Sequence, residues 1–306
     1  MVALLAPTAA IAYPWPVKPF DRQHPIRGNF GDPRILRGGI DLSWDNVLHF
    51  HSGVDVQAPD GTPVYAIEAG EAVAGPRMVA VGTPWASPSA PVVFGYWHLD
   101  PVVGRYQYVA RGQLIGYIHP GAGHVHLSER RYGTYVNPLR PGGLAPYVDH
   151  TPPVVRRLVI YRSGTRTEVS PDAVTGAVDF AVDAYDVPPM ALRQPWTKSI
   201  VSPARITWGG LFAGQWLPLA YRPQLVDFTR LPGLALRDVY AHGTWQNEAH
   251  VPGVYRFWLA RHVSSDLLGD GPHRVRVTAA DIRGNARTRT FTFTVGKPAP
   301  AGQDNG

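Results

Sequence analysis

Apolar runs in this chain are short, and nearly all of them end at Gly, Pro or Asp. Val64-Tyr65-Ala66-Ile67, Ala72-Val73-Ala74, Val92-Val93-Phe94-Gly95-Tyr96-Trp97 and Leu114-Ile115-Gly116-Tyr117-Ile118 are bounded in this way, which predicts short strands joined by turns. The second half alternates more cleanly. In Arg274-Val275-Arg276-Val277-Thr278-Ala279 and Thr290-Phe291-Thr292-Phe293-Thr294-Val295 every second residue is apolar, the period of a strand with one buried and one wet face. Asp281-Ile282-Arg283-Gly284-Asn285 lies between them with turn chemistry, so the pair predicts a hairpin. No capped run with a 3.6-residue period reaches helical length. With 32 Gly and 31 Pro in 306 residues, turns are too frequent for a helical protein. An all-β chain is expected.

The length suits two ordinary domains, and a hydrophobic share of 44% with 17% charged residues is that of a globular protein. Asn137–Pro153 is dense in Pro and Gly without periodicity and suits a linker or domain-closing segment. The expected division is therefore 13–148 and 149–296. Leu158-Val159-Ile160-Tyr161 and Val178-Asp179-Phe180-Ala181-Val182 join the hairpin in predicting a β-sandwich for the second unit. No internal repeat is evident. Residues 297–306 read as a disordered tail. Residues 1–12 end in Ala10-Ile11-Ala12 after an apolar stretch. This small-x-small pattern reads as the remnant of a secretion signal, and a secreted or cell-wall-associated protein is expected.

The chain has no cysteine, which excludes disulfides and thiolate metal sites. No apolar run approaches the roughly 20 residues of a membrane span. The net charge is +6, and most of the excess falls after residue 148. It favours an anionic surface such as a bacterial cell wall. No basic helix or aromatic-basic array of the nucleic-acid type is present.

Six of the 12 histidines lie between His49 and His126. His51-Ser52-Gly53-Val54-Asp55 pairs an imidazole with a carboxylate, both good ligands for a borderline metal such as zinc. His98 closes the aromatic run Tyr96-Trp97-His98-Leu99. His124-Val125-His126 follows the glycine turn Gly121-Ala122-Gly123. On a strand, residues i and i+2 share a face about 7 Å apart, so both imidazoles enter one cleft. One can bind a metal while the other acts on substrate or water. Three His/Asp ligands leave a fourth tetrahedral position open, the mark of a catalytic zinc site. Zinc lowers the pKa of a bound water to about 7.

In order, "FHSGVDVQAPDGTPVYA", "YWHLD", "VARGQLIGYI" and "GHVHLSE" resemble the LytM/lysostaphin-type zinc metallopeptidases, peptidase family M23. The resemblance covers about residues 25–141, entering at "IRGNFGDPR" and leaving at "YVNPLRP". It implies a small antiparallel β-sheet metallopeptidase domain, here followed by an immunoglobulin-like β-sandwich. It implies one zinc per chain on His51, Asp55 and His126, with His124 and His98 as the catalytic pair. It implies a secreted endopeptidase that hydrolyses peptide bonds in peptidoglycan stems or cross-bridges, or in another peptide substrate. The alternative is a non-catalytic wall-binding or hydrolase-activating module on the same fold.

His49 is a rival to His51 if its segment is extended, but the family spacing favours His51; His49 and His119 are expected at the rim. The chain departs from the family in the short "HPGAG" before His124, in Leu127-Ser128-Glu129 where Phe-Glu is common, and in Trp97 where Ala is common. Val81–Pro91 is an unusual connection. These changes bear on cleft shape and substrate choice.

Overall fold

The computed structural model describes residues 12–37, 49–82, 91–212, 215–217 and 226–296. The expected signal remnant up to residue 11, most of the unusual connection after Gly82, and the tail from 297 lie outside these residues.

The expected all-β architecture is present. The first half holds an eight-stranded antiparallel sheet. Its spatial order runs Ile26–Gly28, Gly53–Gln57, His124–Arg131, Val93–Trp97, Met78–Gly82, Gly70–Gly75, Gln107–Val109, with Thr134–Val136 paired to the C-terminal end of the H-x-H strand. A second sheet joins Pro63–Tyr65, Leu114–Ile118 and Leu99–Pro101. Every strand read from the apolar runs of this half is there, with ends shifted by a residue or two. Alternation fixes what faces the core. Val54 and Val56 of one central strand and Val125 and Leu127 of the next are fully buried, while the histidines and the aspartate between them turn to the other face.

The second half contains two antiparallel sheets. One joins Val154–Arg162, Ala177–Tyr185 and Arg256–Ser264; the other joins Gln215–Leu217, Arg205–Phe212, Gly271–Ala280 and Ala286–Val295, with Val226–Asp227 alongside Arg205–Phe212. The predicted hairpin pairs Ala280 with Ala286 across the Asp281 turn. Val275, Val277 and Ala279 are buried, and Arg274 and Arg276, which alternate with them, are exposed. Phe180 and Phe293, one from each sheet, meet with ring centroids 5.1 Å apart. Among the described residues the α-helix is a single turn, Leu236–Val239, and no helix is long and apolar enough to cross a membrane.

The two halves share one hydrophobic core. A continuous cluster of buried side chains runs from Trp15 to Val295 and crosses the junction at Phe50, Phe228, Tyr240 and Phe257. The Phe50 ring lies 5.7 Å from Phe228 and 6.0 Å from Tyr240. Asn137–Pro153 is docked along this junction. The buried Asn137 receives a side-chain anchor at Phe228, donating to its carbonyl, and its backbone N–H donates to Thr229.

Candidate metal centre and its cleft

The two central strands of the first sheet place His126 directly opposite Asp55 and His124 opposite Gln57. Opposed residues of an antiparallel pair share a face, so this register delivers the H-x-H imidazoles onto the carboxylate. His51 precedes the Asp55 strand and turns back to join them. His51 Nε2 lies 2.7 Å from His126 Nδ1 and 3.0 Å from Asp55 Oδ1, and His126 Nδ1 lies 3.2 Å from the same oxygen. His124 Nε2 stands 3.4 Å from Asp55 Oδ1. The rings of His124 and His98 are 4.5 Å apart.

Each group is oriented by a neighbour. The Nδ1–H of His51 donates to the Asn29 carbonyl at 2.7 Å, leaving Nε2 as the lone pair that faces the cluster. The Nδ1–H of His124 donates to the Ala122 carbonyl at 2.7 Å, leaving its Nε2 as an acceptor. Asp55 turns Oδ1 to the histidines and receives Arg34 Nη2 on Oδ2 at 2.9 Å. Two glycines make room. A Cβ on Gly53 would stand 2.3 Å from the Leu127 carbonyl oxygen and 2.7 Å from His126 Nε2; one on Gly28 would stand 2.5 Å from Asp55 Oδ2.

The electrostatics favour neutral imidazoles around an ionised carboxylate. Burial, with Arg34 nearby, lowers His51 to about 3, and burial also lowers His126. Burial pushes Asp55 up, but His51, His124 and Arg34 outweigh it and hold the carboxyl well below its usual value. His98 sits at the mouth with φ of +67°, a left-handed conformation that is costly for a residue with a side chain and recurs at functional sites. Burial lowers its pKa to about 4, and the neighbouring His124 adds to this.

The donor set fits a tetrahedral borderline metal. Ligands about 2.0–2.1 Å from a zinc ion stand about 3.3 Å from one another, and the three donor atoms of His51, Asp55 and His126 already form a triangle close to that size. Two neutral nitrogens and one carboxylate oxygen are the ligand types such an ion takes. His49 is exposed and outside this cluster. His119 pairs with Asp100 at 2.8 Å on the rim. A second group of carboxylates, Asp149, Asp186 and Asp281, is buried at the junction and already receives backbone N–H donors from Thr151, Val187, Arg283 and Asn285.

Beside the metal cluster lies a pocket of about 340 Å³, lined by Arg27, Arg77, His98, His119, His124 and the turn between the last two. Trp97, opposite His126 in register and therefore on the same face, is 42% exposed. Glu129 is not part of the site. It is fully buried and bound by Arg140 and Arg131 at 2.6–2.7 Å. Arg34, Asn29 and the second half of the chain were not singled out by sequence reasoning. Asn29 and Arg34 lie inside the "IRGNFGDPR" segment, where the nearness of an arginine to the ligand motif was the available signal.

An antiparallel sheet that presents two histidines and a carboxylate at tetrahedral spacing, with two more histidines beside them, defines a metal-dependent hydrolase type of site. Residues 49–138 match the family model of peptidase family M23. The solved structures similar to the chain include a zinc-containing peptidase from Vibrio cholerae, 24% identical over 41% of this chain and 39% of that one, with a TM-score of 0.31. They also include the catalytic domain of lysostaphin from Staphylococcus simulans, 23% identical over 36% of this chain and 86% of that one, TM-score 0.28. A third is the catalytic domain of a prophage-encoded M23 protein from Enterococcus faecalis, 25% identical over 43% and 98%, TM-score 0.28. The chain thus spans 39% of the length of the Vibrio cholerae peptidase. No curated protein gives a significant match.

Proposed function

We propose that the protein is a zinc-dependent endopeptidase that hydrolyses peptide bonds of bacterial peptidoglycan, in stem peptides or cross-bridges. The observation that carries this reading is the triangle of His51 Nε2, Asp55 Oδ1 and His126 Nδ1, with the rings of His124 and His98 packed together beside it. These three residues would hold one zinc ion, which when bound supplies Lewis acidity and a water of lowered pKa. His124, its Nδ1–H tied to Ala122, turns its Nε2 to the site, 3.4 Å from Asp55 Oδ1, and acts as general base toward the attacking water. His98, neutral near pH 7, donates its ring N–H to the oxyanion that develops on the scissile carbonyl. The Asn29 carbonyl and the Arg34 guanidinium hold His51 and Asp55 in place, and hydrogen-bond partners beyond the ligands orient metal ligands in this way.

The second unit has the strand order A-B-E against C′-C-F-G when its strands are lettered in sequence, which supports an immunoglobulin-like sandwich. A wall substrate places the protein outside the cytoplasmic membrane, and the small-x-small pattern ending at Ala12 supports secretion. The test is digestion of purified peptidoglycan by zinc-loaded protein, with and without chelator, read by mass spectrometry. New free termini that vanish with chelator are expected. Their absence with zinc fully bound would leave a wall-binding or hydrolase-activating module instead.

A further inference from the structure

Arg27 occupies an unusual position. It lies on the edge strand Ile26–Gly28 and reaches into the pocket that His98 and His124 line. It is largely withdrawn from solvent, and among the described residues no carboxylate or carbonyl accepts a hydrogen bond from its guanidinium. Its guanidinium lies over the ring of Trp196, with Cζ 4.5 Å from the ring centroid. A stacked guanidinium keeps its in-plane N–H donors free for a planar anion.

Trp196 belongs to the second half of the chain, and its segment is fastened to the metal-bearing sheet. The Arg193 backbone N–H donates to Gln57 Oε1 at 2.7 Å, and Gln57 Nε2 donates back to the Arg193 carbonyl at 3.3 Å. Gln57 is two residues beyond Asp55 and stands opposite His124. The clamp therefore fixes Trp196, and through it Arg27, relative to the reacting groups.

The local charges point the same way. Burial lowers the Arg27 pKa, and Asp55 only partly offsets this. Arg77 adds a second guanidinium to the lining. The nearby carboxylates are already engaged: Asp55 by histidines and Arg34, Asp100 by His119, and Asp60 by the backbone N–H groups of Gly121 and Gly123. A cleft lined by two arginines and, among the described residues, by no carboxylate suits an anionic group.

We infer that Arg27, braced by Trp196, is a specificity residue that receives a free carboxylate of the substrate peptide close to the scissile bond. The inference rests on the peptidase reading and narrows it to peptides that carry such a carboxylate. The step is binding only and adds no chemistry.

The test compares muropeptides from purified peptidoglycan with the same material after carbodiimide amidation of its carboxylates. With zinc-loaded full-length protein, native muropeptides should exceed amidated ones in kcat/KM by roughly tenfold or more, chiefly through KM. In Arg27→Gln that ratio should fall to near one, in Arg27→Lys it should be partly kept, and Trp196→Ala should lower it. Binding of the two preparations to the metal-free full-length chain, followed by calorimetry, gives a readout independent of turnover. There the native form should bind more tightly, and Arg27→Gln should abolish the difference. Equal binding of native and amidated muropeptides, or a preference that survives Arg27→Gln, overturns the inference. Loss of all hydrolysis with the binding difference intact overturns the peptidase reading and leaves the carboxylate subsite standing.

Discussion

The ring of His51 donates its Nδ1–H to the backbone carbonyl of Asn29 at 2.7 Å, and Asn29 is itself held from the other half of the chain. Its side-chain amide donates to the Ser202 carbonyl at 3.3 Å, and Ser202 N–H donates to Asp32 Oδ1 at 2.7 Å. Tyr240 donates its hydroxyl to the Gly31 carbonyl at 2.7 Å. The second unit thus holds the turn that aims a candidate metal ligand. Tyr240→Phe leaves the buried Gly31 carbonyl without that donor and should cost about 1–3 kcal/mol. Thermal melting should show the loss, and a zinc titration should show weaker affinity than wild type.

The five residues of the site should separate by metal content. His126→Ala and Asp55→Ala each remove a donor from the triangle and should yield protein without zinc by elemental analysis. His124→Ala leaves all three donors in place and should retain zinc, with turnover reduced by roughly 10²–10⁴. Equal zinc loss in His124→Ala would make that residue a ligand.

Gly53→Ala tests the close approach behind His126. The new Cβ would meet a backbone carbonyl at 2.3 Å and the His126 ring at 2.7 Å, and a central strand cannot yield cheaply. A loss of roughly 2 kcal/mol or more is expected, together with loss of zinc that added metal does not restore.

Asp186 supplies a pH signature separate from the metal. Burial raises its pKa to about 8, and the charges of Asp149 and Asp281 add to this. The folded state therefore holds this proton more tightly than the unfolded state, so the contribution of Asp186 is complete below about pH 4 and fades as pH rises toward 8. Asp186→Asn keeps the acceptor for the Val187 N–H and cannot ionise. Its melting temperature relative to wild type should rise between pH 5 and pH 8, by the equivalent of about 2–4 kcal/mol. A constant difference across that range would show that Asp186 is ionised at pH 5.

Much of the site was legible because it is local. His51 and Asp55 share one short segment, and the i+2 spacing of His124 and His126 survives any strand geometry. The alternation around Val275 and Val277 likewise predicted its own hairpin. What stayed hidden depends on pairs far apart in sequence. The Asn29 contact uses a backbone carbonyl, which leaves no mark in a side-chain pattern. Trp196 reads as one aromatic in a Pro-rich stretch until Gln57 clamps its neighbour Arg193. Asn137–Pro153 reads as either a linker or a domain-closing segment because Pro and Gly dominate it, and the burial of Leu139 and Leu144 in the common core could not be read from its composition. His49 was a rival to His51 only while its side-chain direction was open.

Gly31, with φ of +87°, lies so close to the Phe228 ring that a Cβ there would stand 2.5 Å from it. Whatever replaces the second unit must offer the same flat face at that point and the same hydroxyl at Tyr240. The half that carries the candidate metal site is therefore a poor cassette for fusion or shuffling. Recombination that swaps its companion would take away part of the metal site's frame, so the two halves should be inherited together.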